Sequence, residues 1–92
     1  MVKITKKGKK AWVTFTAPVE DCQTVAIKGS WNDWTPEPMK RKKSGDFYIT
    51  KVLPTGQSYE FGYLVDESDW MADHTLPMTD TPFGSKNSVL KL

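Results

Sequence analysis

Cysteine is nearly absent from this 92-residue chain: Cys22 stands alone, so an internal disulfide and a cysteine-based zinc site are both excluded. Next to a strand start, Cys22 reads as a small apolar filler. Histidine is as scarce, and His74 lacks the partners that a metal site or a hydrolytic triad needs. No apolar run approaches the roughly 18 residues of a membrane span. The charged start from Met1 to Lys10 is followed by no h-region of a signal peptide. The expectation is a reduced, cytoplasmic protein or a module of a longer one, with no membrane partner, no metal and no cofactor. A dominant charge is also missing. Thirteen basic against 11 acidic side chains leave a net +2, too mild a balance to call for a polyanion. Long uninterrupted segments are missing too, because six Pro and six Gly recur along the chain and leave no window for a real helix.

What remains is short strands between turns. Turn signals fall at Lys7-Gly8-Lys9, Pro18-Val19-Glu20-Asp21, Asn32-Asp33, Pro36-Glu37-Pro38, Ser44-Gly45-Asp46, Pro54-Thr55-Gly56, Asp66-Glu67-Ser68-Asp69 and Pro82-Phe83-Gly84. The runs between alternate with period two. Val13 and Phe15 share one face, with Trp12 and Thr14 opposite; Val25 and Ile27 point in and Lys28 out. Phe47, Ile49 and Val52 are core candidates, and Tyr59, Phe61, Tyr63 and Val65 form the longest clean face, opposite Glu60, Gly62 and Leu64. Phe47–Leu53 and Ser58–Val65 flank a Pro-Thr-Gly turn as a hairpin, and Asn87–Leu92 closes the chain. About seven such strands imply an all-β, immunoglobulin-like two-sheet sandwich. Residues 1–92 then form one domain, far short of the roughly 250 residues of a catalytic (β/α)₈ barrel.

The chemistry concentrates in the aromatics. Trp31 and Trp34 bracket the turn formers Asn32 and Asp33, so one ring can plug the sandwich while the other meets solvent; Trp31 is the expected plug and Trp34 the exposed ring. Trp70 sits among charged residues in the stretch Asp66–Asp73, read as a loop, and large rings on loops favour recognition. An indole face suits the apolar C–H side of a pyranose while the sugar hydroxyls stay solvated. Two rings set at an angle follow a curved α-1,4-glucan better than a flat β-glucan. The competing reading makes both rings half-buried packing. Asn87 can donate to and accept from neighbouring hydroxyls, or can serve only as a turn residue.

Asp66, Glu67, Asp69 and Asp73 lack the spacing of a calcium loop and read as a solvated acidic loop. As a glycosidase pair they would need a cleft to enclose a strained sugar, which a shallow module lacks. Lys6-Lys7, Lys9-Lys10 and Lys40-Arg41-Lys42-Lys43 raise single-strand nucleic-acid binding, but they lie in different segments from the aromatics and read as solvated turns.

Taken together, these residues resemble a known family. Gly29-Ser30-Trp31-Asn32-Asp33-Trp34 resembles the Gly-x-Phe-Asn-x-Trp signature of family 48 carbohydrate-binding modules, which include the isoamylase early-set domains and the glycogen-binding domain of the AMP-activated protein kinase β subunit. Phe61 to Asp66 is similar to the family's Tyr-Lys-Phe-x-Val-Asp strand, Trp70 to Asp73 to its Trp-x-x-Asp segment, and Phe83 to Val89 to its closing Gly-x-x-Asn-x-hydrophobic stretch. The resemblance implies an early-set sandwich, not an enzyme, that binds glycogen- or starch-like α-glucan. Trp34 and Trp70 would stack, Asn87 would bond hydroxyls, and Phe83 and Ser85 would flank the site. A glucan-processing enzyme or a kinase is the implied macromolecular partner, and a structural or protein-interaction domain without sugar binding is the alternative. Three positions depart from the pattern: Trp31 replaces Phe, Gly62 replaces a sugar-contacting Lys or Arg, and Glu67-Ser68 replace the Gly after Asp66.

Overall fold

Alternating apolar residues commit each short segment to a strand with one dry face, and two such sheets must close on each other to bury it. The computed structural model, which describes residues 1–17, 19 and 22–92, has this arrangement. The strands are β1 (Val2–Lys7), β2 (Lys10–Ala17), β3 (Val25–Gly29), β4 (Glu37–Pro38), β5 (Lys40–Arg41), β6 (Phe47–Pro54), β7 (Ser58–Val65), β8 (Asp69–Met71), β9 (Met78–Asp80) and β10 (Lys86–Lys91). One sheet has the order β1-β2-β6-β5 and the other β4-β3-β7-β10-β9, all antiparallel. β8 pairs with the second half of β7. The architecture is the expected all-β sandwich.

Val13 and Phe15 from one sheet meet Ile27, Phe61, Tyr63 and Leu90 from the other, all essentially sealed from solvent. Cys22 is buried beside them, as its apolar reading anticipated. The expected hairpin of Phe47–Leu53 and Ser58–Val65 does not form: β6 pairs with β2 and β5 in one sheet and β7 with β3, β10 and β8 in the other, so the Pro-Thr-Gly turn, with Gly56 at φ 85°, carries the chain across from sheet to sheet. Val52 does not join the core. It is 49% exposed, because β6 turns Phe47 and Leu53 inward and Val52 pairs with Trp12 on the outer face.

Several short elements have no sequence signal of their own. β1 is a lysine-rich edge strand whose side chains are mostly exposed; its pairing with β2 makes it a strand. Glu37–Pro38 and Lys40–Arg41, read as turns, are two-residue edge strands around buried Met39. The turn expected at Pro18 to Asp21 rests on Pro18, Glu20 and Asp21, which lie outside the described residues.

Asp66 and Glu67 both take left-handed backbone, at φ 50° and 65°. Asp66 repays its conformation: its carboxylate accepts the Gln23 and Thr24 amides at 2.8 and 3.0 Å and so anchors the chain entering β3. Among the described residues Glu67 has no such compensating hydrogen bond. Glu67→Gly is expected to stabilise the fold by about 1 kcal/mol, the steric cost of left-handed backbone less the added chain entropy of glycine. A urea midpoint that stays put or falls would contradict this.

Candidate functional site

The turn after β3 is where the first ring is aimed. Residues Ser30–Asn32 make a single 3₁₀ turn, and Asp33 and Trp34 follow at φ 57° and 62°. A bulky residue in left-handed backbone is uncommon and costs local free energy, so the surroundings must hold it. They do: the Trp34 amide donates to the Gly29 carbonyl at 3.0 Å and the Thr35 amide to the Asn32 carbonyl at 3.3 Å. The Asn32 amide group donates to the Glu37 carboxylate, which also takes Lys51 at 2.6 Å. This backbone swings the two indoles apart. Trp31 turns inward against Phe15, Phe61 and Tyr59, with ring centroids 5.3, 6.0 and 6.2 Å away. It is the expected plug. Its ring lies on Gly29, where an added Cβ would meet it at 2.5 Å. Trp34, expected as the exposed ring, is half-buried on the outer face of the second sheet, because Trp70 packs against it.

Trp70 belongs to a strand and not to a loop as expected, because β8 pairs with β7 and sets Trp70 opposite Leu64. From there its indole reaches diagonally across the outer face and lies on the backbone of Gly62. A Cβ there would come within 2.2 Å of the ring. The indole N–H donates to the Lys86 carbonyl at 2.9 Å, so the ring is held at both ends. Gly62 is therefore the floor beneath a ring, more than the gap left by a missing base. Trp34 and Trp70 come to 6.3 Å between centroids, their planes inclined at 54°.

These rings line one open cleft of about 570 Å³ together with Lys28, Glu60, Thr79, Asn87 and the β9–β10 loop. Asn87 is nearly buried, and its amide donates to the Glu60 carboxylate at 3.3 Å. Ser85 lines the cleft with its hydroxyl already paired to Thr81 at 2.8 Å, which tightens the loop. Phe83 stands at the loop tip, 93% exposed. The structure thus brings Trp34, Trp70, Asn87, Phe83 and Ser85 around one surface. Lys28, Thr79 and Thr81 join them and escaped sequence reading. Lys28 was legible as outward-facing, but only the β3-β7-β10-β9 order shows that this outer face is the cleft.

The acidic residues are not one solvated loop. None of Asp66, Glu67, Asp69 and Asp73 lines the cleft, and Asp73 is fully buried. Its carboxylate accepts the Tyr63 hydroxyl at 2.9 Å, the Thr75 amide at 3.0 Å and hydroxyl at 2.6 Å, and the terminal ammonium of Met1. Burial pushes this carboxyl up, but those hydrogen bonds outweigh it and hold it below the usual range. The charge is buried because it is satisfied, which the local sequence could not reveal. The basic clusters also stand away from the cleft; Arg41 and Lys42 cover the Phe47 and Tyr48 rings at 5.0 and 5.1 Å.

The model of the glycogen recognition site of AMP-activated protein kinase matches residues 12–92. The chain belongs to this family. The match takes in Trp34, Trp70, Phe83, Ser85 and Asn87, and the family is described as one of glycogen recognition. A relative from Arabidopsis thaliana, the SNF1-related protein kinase regulatory subunit beta-2, is 34% identical over 68 residues. Those residues make up 74% of this chain and 23% of the relative, so the family domain is a minor part of that protein's length. Among the described residues no helix is long and apolar enough to cross a membrane.

Proposed function

We propose that this chain binds glycogen-like α-1,4-glucan without acting on it, stacking glucose units on Trp34 and Trp70. The observation that carries the reading is the pair of half-buried indoles, 6.3 Å apart and inclined at 54°, on the floor and flank of one open cleft. Rings this close touch each other, so they do not sandwich one sugar between them. A glucan lies across both, and the bend between the planes suits a chain that curves. Asn87, oriented by Glu60, supplies polar contact at the cleft wall. Phe83 and Ser85 border it, with Phe83 offering an exposed apolar face.

An open site with two rings and few polar groups binds weakly, with Kd roughly micromolar to millimolar. Titrating tryptophan fluorescence with maltoheptaose and with a cello-oligosaccharide tests the reading. Saturation by the first at these concentrations and little response to the second is expected. Affinity should also change less than about twofold between 50 and 200 mM salt, whereas phosphate contacts would weaken it by orders of magnitude. Equal response to both sugars, or steep salt dependence, contradicts the proposal. A protein kinase is the macromolecular partner we propose, supported by the Arabidopsis relative's description as a kinase regulatory subunit.

A further inference from the structure

Gly62 and Lys28 are register partners across β7 and β3, and their outward faces fall side by side on the sheet that floors the cleft. One carries no side chain and lies under Trp70; the other lines the cleft. We propose that this juxtaposition is a paired arrangement: Gly62 is the seat that fixes Trp70, and Lys28 supplies from β3 a sugar-contacting cation beside that seat. The inference rests on the glucan reading above.

Steric exclusion is the first half of the argument. A Cβ on residue 62 would meet Trp70 Cζ2, Cε2 and Cη2 at 2.2, 2.6 and 2.7 Å, well inside contact distance. The ring cannot slide away freely, because Leu64–Trp70 pairing holds its backbone and Lys86 holds its N–H. This Trp70 pose and any side chain at 62 are therefore mutually exclusive, a lysine included. The second half is charge. Residues directly opposite in an antiparallel pair have Cβ positions about 5 Å apart, so a lysine at 28 starts next to where one at 62 would start. Among the described residues none forms a hydrogen bond or ion pair with the Lys28 ammonium, while Lys86 is held by Asp80 at 3.7 Å. An ammonium has three donors, and hydroxyl oxygens of a glucose unit resting on Trp70 give it acceptors.

The test measures maltoheptaose affinity, thermal unfolding and the far-ultraviolet exciton couplet of the close Trp34–Trp70 pair for the parent, Lys28→Met, Gly62→Ala and Gly62→Lys. Lys28→Met keeps the alkyl stem, and loss of a charged hydrogen bond should weaken binding about tenfold. Gly62→Ala and Gly62→Lys should lose the couplet and bind at least about tenfold more weakly, even though the latter adds a second cation beside Lys28. Should Gly62→Ala fail to fold alone, folding of Gly62→Ala in a Trp70→Ala background supports the seat, since the clash is then gone. Parent-like affinity in Lys28→Met overturns the cation role, and a retained couplet with parent-like affinity in Gly62→Ala overturns the seat. A parent that binds no α-glucan overturns the broader reading instead, and is told apart because the couplet change at position 62 needs no sugar.

Discussion

In a native gel cast with glycogen, Trp34→Ala and Trp70→Ala are each expected to run as they do without it, while the parent and Trp12→Phe are retarded. Rigid aromatic anchors at a binding surface are worth about 2 kcal/mol each, or about thirtyfold in Kd. Taken from a weak parent affinity, that loss leaves binding beyond what the gel detects. The rings touch, so their contributions couple, and the double variant should be scarcely worse than either single one. Neither ring belongs to the buried core, so the variants should keep cooperative unfolding. Trp12 is 41% exposed on the outer face of the opposite sheet, which makes it the control for a surface indole as such. Retardation of both alanine variants at the parent's level would remove the stacking proposal.

The largest effect on stability is expected at Asp73. Replacing it by alanine strands the Tyr63 hydroxyl in the interior and removes the charged acceptor of the Thr75 amide and hydroxyl, at a cost of about 3 kcal/mol or more. For a domain of this size the thermal midpoint should fall by more than about 10 °C. The same cluster sets a pH window. The Asp73 carboxyl is lowered in the fold, so its contribution is present above the unfolded carboxylate pKa of about 4 and is lost as pH falls through the folded value. Tyr63 is raised, first by burial and then by the Asp73 charge and hydrogen bond. Its contribution is present below the unfolded tyrosine pKa of about 10 and declines as pH rises above that. Urea midpoints should therefore form a plateau with shoulders at both ends, and Asp73→Ala should flatten the acid shoulder. An unchanged acid shoulder in that variant would assign it to other carboxylates.

How much of this was legible depended on whether the signal was local. The period-two faces of Val13–Phe15, Val25–Ile27 and Tyr59–Val65 reported the sandwich directly, because each strand's dry face is written in its own residues. The Gly29–Trp34 stretch likewise announced one inward and one outward indole, since left-handed Asp33 and Trp34 reverse the chain locally. Asp73 misled because it follows the exposed acidic run Asp66, Glu67 and Asp69 in the chain, whereas its partners Tyr63 and Ser88 come from other strands. Trp70 misled for the same reason, its strand being imposed by β7.

The chain's own order of residues determined the strands with alternating faces, β2, β3, β6, β7 and β10, and which of those faces are apolar. Only the tertiary structure decided that Trp34 and Trp70 meet, that Gly62 lies beneath one of them and that Lys28 stands beside it. The reason is physical: alternation and turn propensity act between neighbours along the chain, but these contacts depend on which strands lie side by side, and packing of the two sheets sets that.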